Sequence, residues 1–157
     1  MHPAKPLYDR RLAMEAFFPK RATTNRSIMS DDPRSIYERL GGPDAFWRIA
    51  RAFYARVDVD PHPPFRGMFP ADLEEPIRNQ AEFLIQYFGG PDDYSRRKGH
   101  PRLRMRHMPF AIDIDARQRW MAHMRGAIED AAIPEPERSA MLDYFHKTSL
   151  FLVNREF

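Results

Sequence analysis

The sequence contains no cysteine among its 157 residues. A chain without thiols forms neither a disulfide framework nor a thiolate metal site, so a metal would have to be held by histidine or carboxylate. Long apolar runs are also missing, because no stretch approaches the ~20 residues that a bilayer-spanning helix needs. The first residues lack the uninterrupted apolar stretch of a secretory signal, so a cytoplasmic protein is the expectation.

Charge of one sign is not in large excess, because 25 Lys and Arg face 22 Asp and Glu and leave a net charge of +3. Nucleic-acid binding would need that charge gathered on one surface, and no such concentration is evident. A basic helical nucleic-acid binder remains a rival hypothesis, which predicts salt-sensitive retention on DNA and no visible absorbance. The sequence also lacks a phosphate-binding glycine motif and a His-Glu-x-x-His motif.

The composition is that of one soluble domain, with 43% hydrophobic and 13% aromatic residues. Residues 1–33 contain four prolines and no sustained periodicity, so we expect a flexible N-terminal extension followed by a domain at 34–157. The extension also has apolar side chains that could form one helical turn docked against the body of the protein: Tyr8, Leu12, Met14, Phe17 and Phe18.

The sequence Gly-Gly-Pro-Asp occurs at 41–44 and again at 89–92. Glycine just past a helix permits a left-handed cap, and proline fits the first turn of the next helix. Apolar residues at helical spacing predict long helices after residue 43, over about 73–88, from about 114, and from a start at Pro134-Glu135-Pro136-Glu137. A short helical piece is predicted to contain Leu103 and His107 and to be cut by Pro109. Residues 65–70 and the charged stretch after Gly90 are predicted to be connecting segments. The predicted class is all-α.

Four polar or aromatic side chains interrupt the apolar pattern: Tyr54, Gln80, His107 and Trp120. A buried hydroxyl, amide or indole NH without a partner costs ~1–3 kcal/mol, so each needs something to bond. Converging on one cavity, they would surround a polar ligand. Taken singly, each has a plainer explanation, since a Tyr hydroxyl can reach a backbone carbonyl, a Gln can sit at a helix edge and a Trp can fill volume.

Arg104 and Arg106 stand three residues and one residue before His107. Neutral imidazole can bind haem iron through one nitrogen while the other donates to a carbonyl, and an arginine can pair with a haem propionate. The alternative is a satisfied histidine on a solvated basic face. A non-haem pair is disfavoured, because His100 and His107 lie about two helical turns apart.

Over roughly residues 35–157 the sequence resembles the truncated haemoglobins, and among them the second group. The most specific segment is 99–110, Gly-His-Pro-Arg-Leu-Arg-Met-Arg-His-Met-Pro-Phe, with Trp120 thirteen residues after His107. Further matching segments are Ile36-Tyr37, Leu40-Gly41-Gly42, Phe53-Tyr54, Phe69-Pro70, and Gln80 through Phe83-Leu84 to Tyr87-Phe88-Gly89-Gly90-Pro91. The resemblance implies a two-over-two helical sandwich around haem b.

The resemblance also assigns roles to individual residues. His107 matches the proximal iron ligand, and Phe69 matches an aromatic that wedges the haem in place. The residues that match distal groups contacting iron-bound ligand are Tyr54, Gln80 and Trp120. Haem or propionate contacts are implied for Tyr94, His100 and Arg106. Pro76 stands where many globins have a distal histidine, so no imidazole gate is expected there.

The implied function is reversible binding of dioxygen, of the oxygen-transport type, with nitric oxide, carbon monoxide and peroxide as further ligands. The alternative is an oxidoreductase that dioxygenates nitric oxide or reduces peroxide with an external reductase, since the sequence has no recognisable flavin or nicotinamide domain. We expect no nucleic-acid or membrane partner, and either a monomer or a homodimer.

Overall fold

The computed structural model describes residues 32–155, and the interpretations made for residues 1–31 lie outside that range. Within it the chain forms helices and no strands, which confirms the all-α class. The helices are α1 (Ile36–Arg39), α2 (Asp44–Asp58), α3 (Pro63–Arg66), α4 (Glu74–Tyr87), α5 (Asp93–Lys98), α6 (Leu103–His107), α7 (Ile114–Asp130) and α8 (Glu137–Leu152). No helix in this range combines the length and apolar character that a bilayer span requires.

Helix α2 lies at the centre of the core. Its apolar face follows the 3.6-residue period, and Phe46, Ile49, Phe53 and Val57 are fully buried. This face packs mainly against α7 and α4, while α8 packs on α7. Burying a side chain of this size contributes roughly 1.5–3 kcal/mol, so the four residues fix how α2 sits against its neighbours.

Two segments that the sequence predicts as connections between helices contain short helices themselves. Pro63 and Pro64 occupy the first positions of α3, where a missing amide hydrogen costs nothing and the fixed φ suits a helix. The charged stretch after Gly90 contains α5, with Asp93 in its first turn and basic residues in its last. That order of charges complements the helix dipole, which an apolar-period analysis does not detect.

The first residues of the domain pack on the turn that ends α4. Gly89 adopts φ 105°, and a Cβ built on it would lie 2.4 Å from the Cβ of Ser35. The Tyr37 amide donates to the Phe88 carbonyl at 3.0 Å, and Ser35 caps α1 by accepting from the Glu38 amide. Only glycine allows both the backbone conformation and this close approach.

We expect Gly89→Ala to lower the free energy of unfolding by about 3–4 kcal/mol, because backbone strain and a clash with Ser35 add together. The matched control is Gly41→Ala, where φ is also positive, at 84°, but a Cβ meets nothing within 4 Å. Strain alone predicts a loss of about 1–2 kcal/mol there. Urea unfolding followed by circular dichroism measures both, and equal losses would contradict this account of Gly89.

Candidate functional site

His107 is the last residue of α6, and its ring is fixed in one tautomer. Its Nδ1 lies 2.5 Å from the Leu103 carbonyl oxygen. Because a carbonyl only accepts, Nδ1 carries the hydrogen and Nε2 keeps a lone pair. Burial lowers the pKa of His107, which favours the neutral ring. Nε2 has no hydrogen-bond partner within residues 32–155, so it is free to ligate a metal.

A residue that the sequence analysis missed holds the chain around His107. The Asn154 side-chain NH2 donates to the carbonyls of Phe110 at 2.9 Å and His107 at 3.3 Å, while its oxygen accepts from the Ile112 amide at 3.0 Å. The segment after α8 therefore ties down the end of α6. Nothing in the sequence signals this contact, because the partners lie more than 40 positions apart.

Three of the predicted residues are brought together around the buried ring of Phe53. The Tyr54 ring is 4.9 Å from the Phe53 ring, and the Trp120 ring is 5.2 Å from it on the other helix. Phe69 joins the group at 5.9 Å from Tyr54. The structure thus places a phenol from α2, an indole from α7 and the Phe69 ring in one continuous aromatic cluster.

The polar ends of this cluster have no partner in the described range. Tyr54 is buried and burial raises the pKa of its hydroxyl, so the group stays a neutral donor. Neither that hydroxyl nor the Trp120 indole NH makes a hydrogen bond with any residue from 32 to 155. Buried polar groups are normally satisfied, so the unpartnered hydroxyl of the buried Tyr54, beside the partly buried Trp120, favours a bound ligand as the missing partner.

Gln80 adds a third unsatisfied group from α4. Its Oε1 is fully buried and accepts no hydrogen bond within the described chain. Ile77 and Ala81 of the same helix are buried, so Gln80 lies beside the apolar face of α4. No ring contact joins Gln80 to the cluster around Phe53.

The other three residues for which the resemblance implies contacts with haem or its propionates, Tyr94, His100 and Arg106, have different surroundings. Tyr94 is buried with its ring 5.6 Å from Phe83, whereas His100 is exposed and its Nδ1 accepts from the Arg102 amide. Arg106 donates from Nε to the Pro101 carbonyl at 2.8 Å and from Nη2 to the Lys98 and His100 carbonyls. The two N–H groups on its Nη1 bond to nothing in residues 32–155, which leaves them available to an anion.

Arg106 holds the segment between α5 and α6 by these three carbonyl bonds. We expect Arg106→Lys to lower the free energy of unfolding by about 1–2 kcal/mol, because an ammonium cannot reproduce the planar fork. Arg104→Lys is the control, since within residues 32–155 that guanidinium makes no hydrogen bond and lies over the Phe151 ring, 5.3 Å from its centre, so little change is expected. Thermal unfolding of both variants tests this, and equal stability of the two would contradict the fork.

The donor set fits a haem. Nε2 of His107 offers one bond to a metal, and no three His, Cys, Asp or Glu side chains in residues 32–155 gather to hold a bare ion. A porphyrin brings four nitrogens of its own and needs one axial protein ligand. The unsatisfied groups of Tyr54, Trp120 and Gln80 fit a small polar ligand.

Comparisons with known proteins agree with this geometry. The bacterial-like globin family model matches residues 35–154. Two-on-two hemoglobin-3 of Arabidopsis thaliana is 38% identical over 124 residues, which is 78% of this chain and 70% of that protein. Group 2 truncated hemoglobin YjbI of Bacillus subtilis is 34% identical over 119 residues, covering 76% of this chain and 88% of its own length.

Solved structures match over the same part of the chain. The hemoglobin of the thermophilic phototrophic bacterium Chloroflexus aurantiacus is 51% identical, with a TM-score of 0.74, and the match covers 78% of this chain and 99% of that one.

Proposed function

This chain belongs to the bacterial-like globins as a group II truncated haemoglobin, and on that premise we propose that it binds dioxygen reversibly at a haem iron ligated by His107. Membership of the family implies haem-based ligand binding. The observation that carries the finer proposal is that the buried Gln80 Oε1 and the hydroxyl of the buried residue Tyr54 make no hydrogen bond within residues 32–155. A bound diatomic ligand would satisfy them.

The haem, which we propose to be haem b, would supply an iron able to bind a diatomic ligand. His107 would hold it through Nε2, and the Leu103 carbonyl would keep the imidazole in the required tautomer. Phe69 would pack against the macrocycle, with Tyr94 and His100 at its edge. Arg106 would offer its two remaining Nη1 donors to a propionate.

Tyr54 and Trp120 would act on the ligand by donating hydrogen bonds to it. Both rings pack against Phe53, and this packing would restrict the movement of the two donors, as preorganised donors require. Gln80 would contribute a further polar contact from α4. Pro76 offers no side-chain donor, so the hydrogen bonds would come from the phenol and the indole.

The test is a cycle of oxygenation followed by visible absorbance. Reduced protein exposed to dioxygen and then to inert gas is expected to return to its starting spectrum over repeated cycles. Complete oxidation of the haem in the first cycle would contradict a carrier. Rapid catalytic consumption of nitric oxide with an added reductase would favour the oxidoreductase instead.

A further inference from the structure

A buried carboxylate at the corner after α2 takes no part in the site described above. The side chain of Asp60 is only 2% exposed. Its Oδ1 accepts from the His62 amide at 2.8 Å and from Nη1 of Arg119 at 3.2 Å. Its Oδ2 lies 2.6 Å from Nε2 of His123. One carboxylate therefore joins the corner of the chain to two successive turns of α7.

Asp60 is ionised in this setting. Burial by itself raises the pKa of the carboxyl, but hydrogen bonds from the His62 amide and His123, together with the charge of Arg119, outweigh burial and lower it. A buried charge is expensive, and well-packed apolar side chains in its place are often as stable. A contribution to folding stability is thus a weak explanation for burying the Asp60 carboxylate. Holding Arg119 and His123 in fixed positions is a stronger one.

The two side chains that Asp60 binds, Arg119 and His123, are connected to both proposed ligand donors, Trp120 and Tyr54. Arg119 and His123 lie four residues apart on α7, and Trp120 is the neighbour of Arg119 in the chain. Arg119 is also paired with Asp115, at 3.1 Å, on the same helix. The carboxylate therefore fixes α7 at the turn that carries Trp120.

The second path runs through aromatic rings. The Phe65 ring of α3 lies 5.6 Å from the His123 ring and 5.4 Å from the Phe69 ring. Phe69 in turn is 5.9 Å from Tyr54. If the His123 ring moved, the Phe65 and Phe69 rings that connect it to Tyr54 would have to shift as well, and Tyr54 with them.

We propose that Asp60 is a positioning residue that sets Trp120 of α7 and Tyr54 of α2 at the spacing a shared diatomic ligand requires. The inference rests on the proposed function, because it gives those two groups a common ligand. Asp60 itself touches no ligand. It acts by holding Arg119 and His123 in place.

The test uses the purified haem protein saturated with carbon monoxide, whose infrared stretch reports hydrogen bonds to the ligand. Asp60→Asn keeps the shape of the side chain and removes its charge. We expect its band to shift toward that of Trp120→Phe. The matched control is Asp58→Asn, since Asp58 is an exposed carboxylate two residues earlier that pairs with Arg66, and its band should not move.

Asp60→Asn in a Trp120→Phe background separates positioning from general damage. If Asp60 acts through Trp120, the second substitution adds much less shift than it does alone. A full additional shift would overturn the inference, as would an unchanged band in Asp60→Asn accompanied by lower stability. His123→Asn, which leaves the Arg119 bridge, replaces Asp60→Asn should that variant not fold. A wild type without any carbon monoxide band would contradict the proposed function itself, and this inference with it.

Discussion

Purified His107→Gly protein is expected to bind haem at least about 100-fold more weakly than the wild type. Mutating a residue that merely hydrogen-bonds a metal ligand already lowers metal affinity by about 10- to 100-fold, and this substitution removes the ligand itself. Imidazole added to the buffer is expected to restore binding, since it can enter the space left by the side chain. Haem titration followed by visible absorbance measures both effects.

The same substitution at His146 is the control for this prediction. His146 is exposed on α8, where its Nδ1 lies 3.1 Å from Nη2 of Arg117. Its replacement by glycine should leave haem affinity unchanged. Unaltered affinity in His107→Gly, or recovery with imidazole that is equally large in the control, would show that another group ligates the iron.

Tyr54→Phe is expected to speed dioxygen dissociation by about 10- to 100-fold, as is Trp120→Phe, because a hydrogen bond to a charged acceptor contributes about 1.5–3 kcal/mol. Phenylalanine keeps the ring of Tyr54 against Phe53 and Phe69, so the change isolates the hydroxyl. Rapid mixing with a dioxygen scavenger gives the rates.

Tyr144→Phe is the matched control, because it removes the hydroxyl of a partly buried tyrosine. Within residues 32–155 the Tyr144 ring makes no direct ring contact with Phe53, Tyr54, Phe69 or Trp120; it stacks 4.0 Å from the Tyr87 ring and reaches Trp120 only through Phe145. Its removal should leave the dissociation rate as it was. Wild-type rates in Tyr54→Phe, in Trp120→Phe and in the double variant would remove both residues from the proposed ligand contacts.

The sequence predicted much of the helical frame because apolar periodicity is a local property. The buried face of α2 and the short helix ending at His107 both follow from spacing along a few turns. Helices α3 and α5 were missed for a local reason as well, since prolines and charges, and not apolar residues, define their ends.

The site was only partly within reach of the sequence. His107, Tyr54 and Trp120 stood out as polar or aromatic residues in an apolar pattern, but their roles came from a family resemblance. Asp60 and Asn154 gave no such signal, because each is an ordinary loop residue until folding brings distant partners to it. Hydrogen bonds between positions 44 and 63 residues apart depend on how helices pack, which one sequence does not specify.

The most direct test that His107 ligates the iron is resonance Raman spectroscopy of the reduced, ligand-free protein, which detects the iron–histidine stretch. We expect the band to be present in the wild type and in His146→Gly, and absent in His107→Gly until imidazole is added. The band persisting in His107→Gly without imidazole would contradict the assignment of His107 as the axial ligand.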